Sequence, residues 1–146
     1  MDEVEVYTDG SCLKNPGPGG WAALLKVGEH EKLVSGFQPN VTNNQMELLA
    51  AIQGLKALKR PCRVTLFSDS QYVVRGMSEW VFNWQRRGWK TASNKPVENQ
   101  SLWQELVRVA QIHEVEWEWI KAHAGHEYNE RVDQEARAQA QLCCQS

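Results

Sequence analysis

Short apolar runs separated by turn-forming residues occupy the first forty positions. Val4 and Val6 alternate with polar neighbours and predict a strand that ends near Asp9. The residues that follow are dense in glycine and proline, which predicts a turn over 10–20. Two further strands, joined by a hairpin at Gly28, are predicted from the next apolar runs: 21–27 and 32–37.

A helix start follows these strands. Thr42 has Gln45 three positions later, which is the spacing of a capping box, although Asn43 or Asn44 could also serve as the cap. Apolar residues then recur at helical spacing and predict one buried face, formed by Leu48, Ile52 and Leu55.

The middle of the chain continues with one strand and several helices. Residues 63–68 form an apolar strand run that Asp69 closes. Helical patterns then occupy three segments, the second of which ends at Gly88: 70–77, 80–87 and 101–112.

The last part of the chain alternates cleanly between apolar residues and glutamates over 114–120, which predicts a strand with one covered face. A loop at 123–126 and a helix at 129–142 follow. This order of elements predicts an α/β fold with a five-stranded mixed sheet flanked by helices. A chain of 146 residues suits one domain, 1–146.

Composition excludes several classes of protein. No apolar run approaches the roughly eighteen residues of a membrane span, and the acidic start lacks the features of a secretory signal, so we expect a cytoplasmic protein. There the four cysteines should stay reduced. A zinc site from His123, His126 and the Cys143–Cys144 pair is an alternative, but the usual paired spacing is missing.

The formal net charge of −2 hides an uneven distribution. Residues 80–97 contain no acid, while Arg86, Arg87, Lys90 and Lys95 lie within them. Such a basic stripe is typical of a phosphate-binding surface and equally of a solvated helix face, so composition leaves both interpretations open.

Four carboxylates have ordinary explanations when each is taken alone. Asp9 stands in a common turn pair, and Asp69 can cap the helix that follows it. Glu47 suits a first helical turn, and Asp133 has Arg137 at ion-pair spacing.

Their placement together is more informative. Asp9 and Asp69 both end apolar strands, the edge of an α/β sheet at which ligands bind, and Glu47 adjoins the apolar face of its helix. Carboxylates crowded into one cleft need a cation, and oxygen ligands favour Mg²⁺ or Mn²⁺. Two such ions can stabilise the attacking and leaving oxygens of a phosphoryl displacement.

Five blocks of sequence, in order along nearly the whole chain, closely resemble bacterial-type ribonuclease HI. The blocks are Tyr7-Thr8-Asp9-Gly10-Ser11 with the following glycine–proline loop, Thr42-Asn43-Asn44-Gln45-Met46-Glu47-Leu48, Ser68-Asp69-Ser70-Gln71-Tyr72-Val73, Trp84-Gln85-Arg86-Arg87-Gly88-Trp89-Lys90, and His123-Ala124-Gly125-His126 with Asn129-Glu130-Arg131-Val132-Asp133. One such block would be weak evidence, whereas five in register are specific.

The resemblance implies a ribonuclease H-like fold and hydrolysis of the RNA strand of RNA/DNA hybrids, leaving 5′-phosphate and 3′-hydroxyl ends. It implies that two Mg²⁺ ions, with Mn²⁺ possible, are bound by Asp9, Glu47, Asp69 and Asp133. His123 would assist catalysis by moving protons or helping product leave. The family likeness also implies a monomer, and the sequence itself gives no evidence of an obligate protein partner.

The resemblance also implies a set of substrate contacts. Positions matching those that line the minor groove of the hybrid are Gly10, Ser11, Cys12, Asn15, Asn43, Asn44 and Gln71. Positions matching contacts to the DNA strand are Thr42, Asn99, Tyr72, Trp80, Arg86 and Arg87. Trp84 and Trp89 are interpreted mainly as packing residues.

The chain departs from the family pattern at a few positions. Asn40 replaces an arginine found in some relatives, so strong binding of the DNA phosphate at this position is not expected from the resemblance. Ala122 replaces a glycine often found before the catalytic histidine.

Three rival functions are a non-catalytic hybrid-binding module, a DNA-cutting nuclease of the same fold, and a scaffold protein. The converging acids argue against the binding module because they would repel phosphate without metal.

Overall fold

The computed structural model describes residues 1–145 and is built around a five-stranded mixed sheet. Its strands are β1 (Asp2–Cys12), β2 (Gly17–Val27), β3 (His30–Val41), β4 (Cys62–Ser68) and β5 (Glu114–Trp119). They lie in the order β3-β2-β1-β4-β5. The β1, β2 and β3 strands pair antiparallel, whereas β4 runs parallel to both β1 and β5. The predicted sheet is therefore confirmed.

Helices cover both faces of this sheet. They are α1 (Asn43–Lys56), α2 (Gln71–Arg75), a π-helical turn (Gly76–Trp80), α3 (Val81–Arg86), α4 (Gln100–Ala110) and α5 (Glu127–Gln145). Alternate residues of β2 belong to two buried clusters: Ala23 and Leu25 pack with α1 and α4, whereas Ala22 and Leu24 pack with α5. No helix in residues 1–145 is long and apolar enough to cross a membrane.

The helix start at Thr42 has the predicted capping box. The Thr42 hydroxyl accepts the backbone N–H of Gln45 at 3.2 Å, and the Gln45 side chain accepts the N–H of Thr42 at 3.0 Å. The alternative caps Asn43 and Asn44 instead lie in the first turn. The predicted buried face is also confirmed, since Leu48, Ile52 and Leu55 are almost completely buried.

The glycine–proline segment is largely strand, so the prediction of a turn over 10–20 was too broad. β1 continues past Asp9 to Cys12, and its last residues pair with Gly19 and Gly20 of β2. Gly20 has to be glycine because a Cβ there would collide with the carbonyl of Ala136 on α5. Glycine here marks close approach of a helix to a strand.

The two helices predicted at 70–77 and 80–87 form one continuous helical segment instead. The π-helical turn joins α2 to α3 without a break. At its start, Gly76 lies directly against the buried ring of Trp103, and a Cβ would overlap that ring. Gly76 is therefore a packing site inside the helical segment.

The covered face of β5 is incomplete. Val115 and Trp117 are half-buried, as predicted from the alternation, but Trp119 is 45% exposed. Trp119 stands at the end of β5, opposite Ser68 at the end of β4, and so reaches the edge of the sheet.

We predict that Gly76→Ala lowers the free energy of unfolding by about 1–3 kcal/mol, the usual cost of overpacking a core. Urea unfolding measures this cost. In a Trp103→Phe background the smaller ring should leave room for the methyl group, and the cost of Gly76→Ala should shrink. Equal costs in the two backgrounds would contradict the proposed collision.

Candidate active site

Three carboxylates meet at one edge of the sheet. Thr8 of β1 pairs with Ser68 of β4, so the next residues, Asp9 and Asp69, leave two parallel strands side by side. Glu47 reaches the same place from the first turns of α1. Each of the three acids offers an oxygen, and these oxygens all lie within 4.8 Å of one another. The sequence-based grouping of these three residues is therefore reproduced by the geometry.

One backbone amide holds two of these acids. The N–H of Gly10 lies 2.9 Å from Oε1 of Glu47 and 3.0 Å from Oδ1 of Asp9. The third acid is held through its main chain, because the indole N–H of Trp119 donates to the carbonyl of Asp69 at 3.1 Å. The acids are thus positioned by groups that do not themselves titrate.

Burial and mutual repulsion raise the pKa values of all three carboxyls. Burial, followed by the charges of Glu47 and Asp69, raises the pKa of Asp9 to about 11. Burial and the charge of Asp69 raise the pKa of Glu47 well above its usual range, against the opposing effect of the Gly10 N–H. Burial also raises the pKa of Asp69. The three groups cannot all be ionised at neutral pH without a cation between them.

Asp133 lies beside this group on α5. Its charge contributes to the raised pKa values of Asp9, Glu47 and Asp69. Its carboxylate forms an ion pair with Arg137, one turn later on α5. The spacing noted in the sequence is therefore a real ion pair, and Asp133 stands outside the tight group of three.

Two histidines belong to the exposed loop before α5. His123 has a left-handed backbone, with φ of 55°, and its charge lowers the pKa of Asp69, which places it on the side of the acidic group. The carbonyl of His126 accepts the N–H of Glu130 at 2.9 Å and so begins α5. Within residues 1–145, histidine and cysteine side chains form no metal-binding group, so the zinc alternative has no support.

The β1–β2 turn is tied to the start of α1. The N–H of Cys12 donates to Oδ1 of Asn43 at 2.8 Å, and the N–H of Asn43 donates to Oδ1 of Asn15 at 3.0 Å. The side-chain oxygens of Asn43 and Asn15 are therefore both used within the protein, and their side-chain NH₂ groups remain to donate to other partners. Among the other predicted groove residues, Ser11 is half-buried, and Asn44 and Gln71 are exposed.

A chain of hydrogen bonds joins the starts of α1, α2 and α4. Nε2 of Gln45 donates to Oδ1 of Asn99 at 3.2 Å, and Nδ2 of Asn99 donates to the Tyr72 hydroxyl at 3.1 Å. The indole N–H of the fully buried Trp103 donates to the same hydroxyl at 3.0 Å. Gln45 and Trp103 were not identified as site residues from the sequence, although Gln45 has the capping-box spacing and lies within the block 42–48.

Aromatic rings extend from this chain toward the acid-free segment. Tyr72 contacts Trp80 edge-on at 5.9 Å between ring centres, and Trp84 lies between Trp80 and Trp89 at 6.0 and 6.2 Å. Trp84 and Trp89 both pack against the core, which confirms their interpretation as packing residues. Trp80 also contacts the core and is half-buried.

The basic residues of this segment are exposed. Arg86 donates to the side chain of Asn83, one turn earlier on α3, and Arg87 follows as the last residue before a left-handed turn at Gly88. Lys90 and Lys95 lie on the loop beyond. The segment thus exposes positive charge next to a row of tryptophan rings that pack against the core.

Comparison with known proteins assigns the chain to a family. The family model described as RNase H matches residues 1–141. A protein of Novosphingobium aromaticivorans named ribonuclease H is 59% identical over 133 residues, which cover 91% of this chain and 93% of that protein.

Solved structures agree with this assignment. A structure described as LC9-RNase H1, a type 1 RNase H with the type 2 active-site motif, has a TM-score of 0.90 and 36% identity, and the match covers 98% of this chain and 74% of that one. The fold is also shared with LC11-RNase H1, whose structure is in complex with an RNA/DNA hybrid (TM-score 0.72, 21% identity, 97% and 99% covered). The chain belongs to the ribonuclease H family.

Proposed function

We propose that this protein is an endoribonuclease that hydrolyses the RNA strand of RNA/DNA hybrids and leaves 5′-phosphate and 3′-hydroxyl ends. The observation that carries the proposal is the meeting of Asp9, Glu47 and Asp69 at the sheet edge of a chain that belongs to the ribonuclease H family. Burying three carboxyls that repel one another costs folding free energy, and a scaffold protein would not need such a group.

Ribonucleases H are metal-dependent, and the donor set here fits a hard divalent cation because every nearby ligand atom is a carboxylate oxygen. We propose that Asp9, Glu47, Asp69 and Asp133 bind two Mg²⁺ ions, with Mn²⁺ as the alternative. When bound, such ions supply Lewis-acid stabilisation to the oxygens of a phosphoryl displacement and lower the pKa of water.

The residues of the chain position this donor set before substrate arrives. Gly10 orients Glu47 and Asp9, Trp119 fixes the main chain of Asp69, and Arg137 restrains Asp133. Ligands that are already oriented do not have to be ordered during the reaction, which lowers its entropic cost. His123, exposed on its loop beside Asp69, is suited to carry a proton to or from the scissile phosphate or to help product leave.

The RNA strand is recognised by its 2′-hydroxyls in the shallow minor groove. The proposed contacts surround the acidic group on the β1–β2 turn, the start of α1 and the start of α2: Gly10, Ser11, Cys12, Asn15, Asn43, Asn44 and Gln71. Asn15 and Asn43 each use the side-chain oxygen within the protein, which leaves their amide N–H groups to donate to a hydroxyl oxygen.

The DNA strand is held on the other side, at the hydrogen-bonded chain and the basic segment. We propose that Thr42 and Asn99 bind one phosphate and that Tyr72 and Trp80 flank the sugar–phosphate backbone. Arg86 and Arg87 add charge from the end of α3. Asn40, in place of an arginine, leaves the phosphate site to neutral hydrogen-bond donors.

We predict that the protein with Mg²⁺ cuts the RNA of a hybrid but leaves duplex DNA and duplex RNA intact, and that Asp9→Asn lowers the cleavage rate more than about a hundredfold. Loss of a ligand that stabilises transition-state charge costs several kcal/mol, and each 1.4 kcal/mol is a factor of ten. Gel assays on the three substrates measure both effects.

Hybrid affinity of Asp9→Asn should stay within a few-fold of wild type because the groove contacts remain. Asp2→Asn, an exposed acid at the far end of the same strand, is the matched control. Near-normal turnover by Asp9→Asn would remove Asp9 from the site, and cutting of duplex DNA at equal rates would favour the DNA-nuclease alternative.

We predict that the metal-free protein loses stability as pH rises from about 4, the usual pKa of an unfolded aspartate, toward the folded pKa of Asp9 near 11. Between these values the folded state binds more protons than the unfolded state, so raising the pH favours unfolding. Melting temperatures across pH 4–9 measure the slope, and divalent metal should raise the melting temperature at pH 7.

The variant Asp9→Asn should flatten this dependence on pH, whereas Glu116→Gln, an exposed acid on β5, should leave it unchanged. A melting temperature that does not respond to Mg²⁺ at concentrations supporting cleavage would count against a preformed acidic group.

We predict that Arg86→Ala with Arg87→Ala weakens hybrid binding and flattens its dependence on salt, with little change in the rate at saturating substrate. Each lost phosphate contact should reduce the slope of log affinity against log salt by about one. Arg63→Ala, an exposed arginine at the start of β4, is the control. Coincident slopes for wild type and double variant would mean that both arginines only solvate the end of α3.

A further inference from the structure

The hydrogen-bonded chain from Thr42 to Trp103 has a fixed direction because its two ends can only donate. At one end, the backbone N–H of Thr42 donates to Oε1 of Gln45, so the other half of that amide, Nε2, has to face Asn99. At the other end, the indole N–H of Trp103 has no acceptor capacity and donates to Tyr72.

The middle of the chain follows from these ends. Asn99 turns Oδ1 toward Gln45 and therefore Nδ2 toward the hydroxyl of Tyr72. With Asn99 reversed, two NH₂ groups would face each other across 3.2 Å. Both amides thus have one permitted orientation, although neither carries a charge.

This direction leaves Thr42, Tyr72 and Asn99 each with one proton that has no acceptor in residues 1–145. The oxygen of Tyr72 accepts from Asn99 and Trp103, so its own O–H has to donate elsewhere. The hydroxyl of Thr42 accepts the N–H of Gln45 and keeps its proton, and Nδ2 of Asn99 keeps a second hydrogen. A group of donors that lacks acceptors suits an anionic oxygen ligand.

We propose that Gln45 is a positioning residue that orients Asn99 and Tyr72 so that Thr42, Tyr72 and Asn99 all donate to one phosphate of the DNA strand. The inference rests on the proposed function. It explains how neutral hydrogen-bond donors, held in one orientation, can bind a phosphate at a site that lacks an arginine. Trp103 fixes the far end of the chain from the core, where it is completely buried.

The variant Gln45→Glu tests the proposal because it separates the two roles of this side chain. A carboxylate can still accept the N–H of Thr42 and complete the capping box, so α1 should stay intact. It cannot donate to Asn99, whose amide should then reverse. The hydroxyl of Tyr72 would donate to Oδ1 of Asn99 and would no longer be available to phosphate.

Affinity for a hybrid is measured without divalent metal, so that the strand stays intact, for wild type, Gln45→Glu, Tyr72→Phe and the double variant. We expect about a tenfold loss for each single variant, the ratio typical of one hydrogen bond to a charged group. Because both act through the same hydroxyl, the double variant should lose less than about twofold more.

Two observations separate orientation from simple charge repulsion. Repulsion by the new carboxylate would lower affinity equally in the presence and absence of the Tyr72 hydroxyl, so independent effects in the double variant would overturn the proposal. A neutral methylphosphonate placed in turn at each DNA linkage should weaken wild-type binding at one position, and Gln45→Glu should be insensitive there. Gln53→Glu adds the same charge further along α1 and should bind as wild type does.

Failure of the proposal and failure of the proposed function give different results. If wild type does not cut hybrids, the proposed function is wrong. If it cuts them but the Gln45 and Tyr72 effects are independent, only the positioning role is wrong. A structural role alone would lower the melting temperature without affecting the methylphosphonate pattern. Should Gln45→Glu fail to fold, Gln45→Ala repeats the double-variant test without a new charge, because it also removes the donor that orients Asn99.

Discussion

The site depends on keeping like charges together. Three carboxyls with oxygens within 4.8 Å of one another are held at the ends of β1 and β4, where burial and repulsion both oppose their ionisation. The parallel pairing of these strands cannot shift by one residue without turning their apolar side chains out of the core, so Asp9 and Asp69 stay adjacent. Packing of α1 on the same strands adds Glu47. The core therefore supplies the stability that keeps these like charges together, and at neutral pH a bound cation relieves their repulsion.

Much of the fold follows from local patterns, and its departures from them have long-range causes. The alternation of Val4 and Val6, the capping box at Thr42 and the helical spacing of Leu48 and Ile52 each predicted the observed element. The glycine-rich part of β2 was misjudged because its glycines allow close contact with residues distant in sequence, as Gly20 does with Ala136. The two helices predicted at 70–77 and 80–87 are joined by a π-helical turn, where Gly76 packs against the distant Trp103. Contacts of this kind cannot be predicted from the local composition of the sequence.

The candidate site divides in the same way. Strand ends and family resemblance identified the acids, since both signals lie within short stretches of sequence. The contact of Gln45 with Asn99 joins residues 54 positions apart, and that of Trp119 with Asp69 joins residues 50 apart. No short motif contains both members of either pair. The residues that orient a site are thus harder to predict than the residues that perform its chemistry, because their role exists only in the folded chain.

The sheet also has two open edges, since β3 and β5 each have a single neighbouring strand. An open edge has unpaired backbone groups that can bind a strand from another molecule. The alternating glutamates of β5 make such an addition unfavourable. Two copies joined through β5 would place Glu114, Glu116 and Glu118 near their counterparts, where like charges repel. On β3, Pro39 lacks an N–H to offer and charged residues flank the hairpin. The glutamates of β5 therefore disfavour edge-to-edge pairing of two copies.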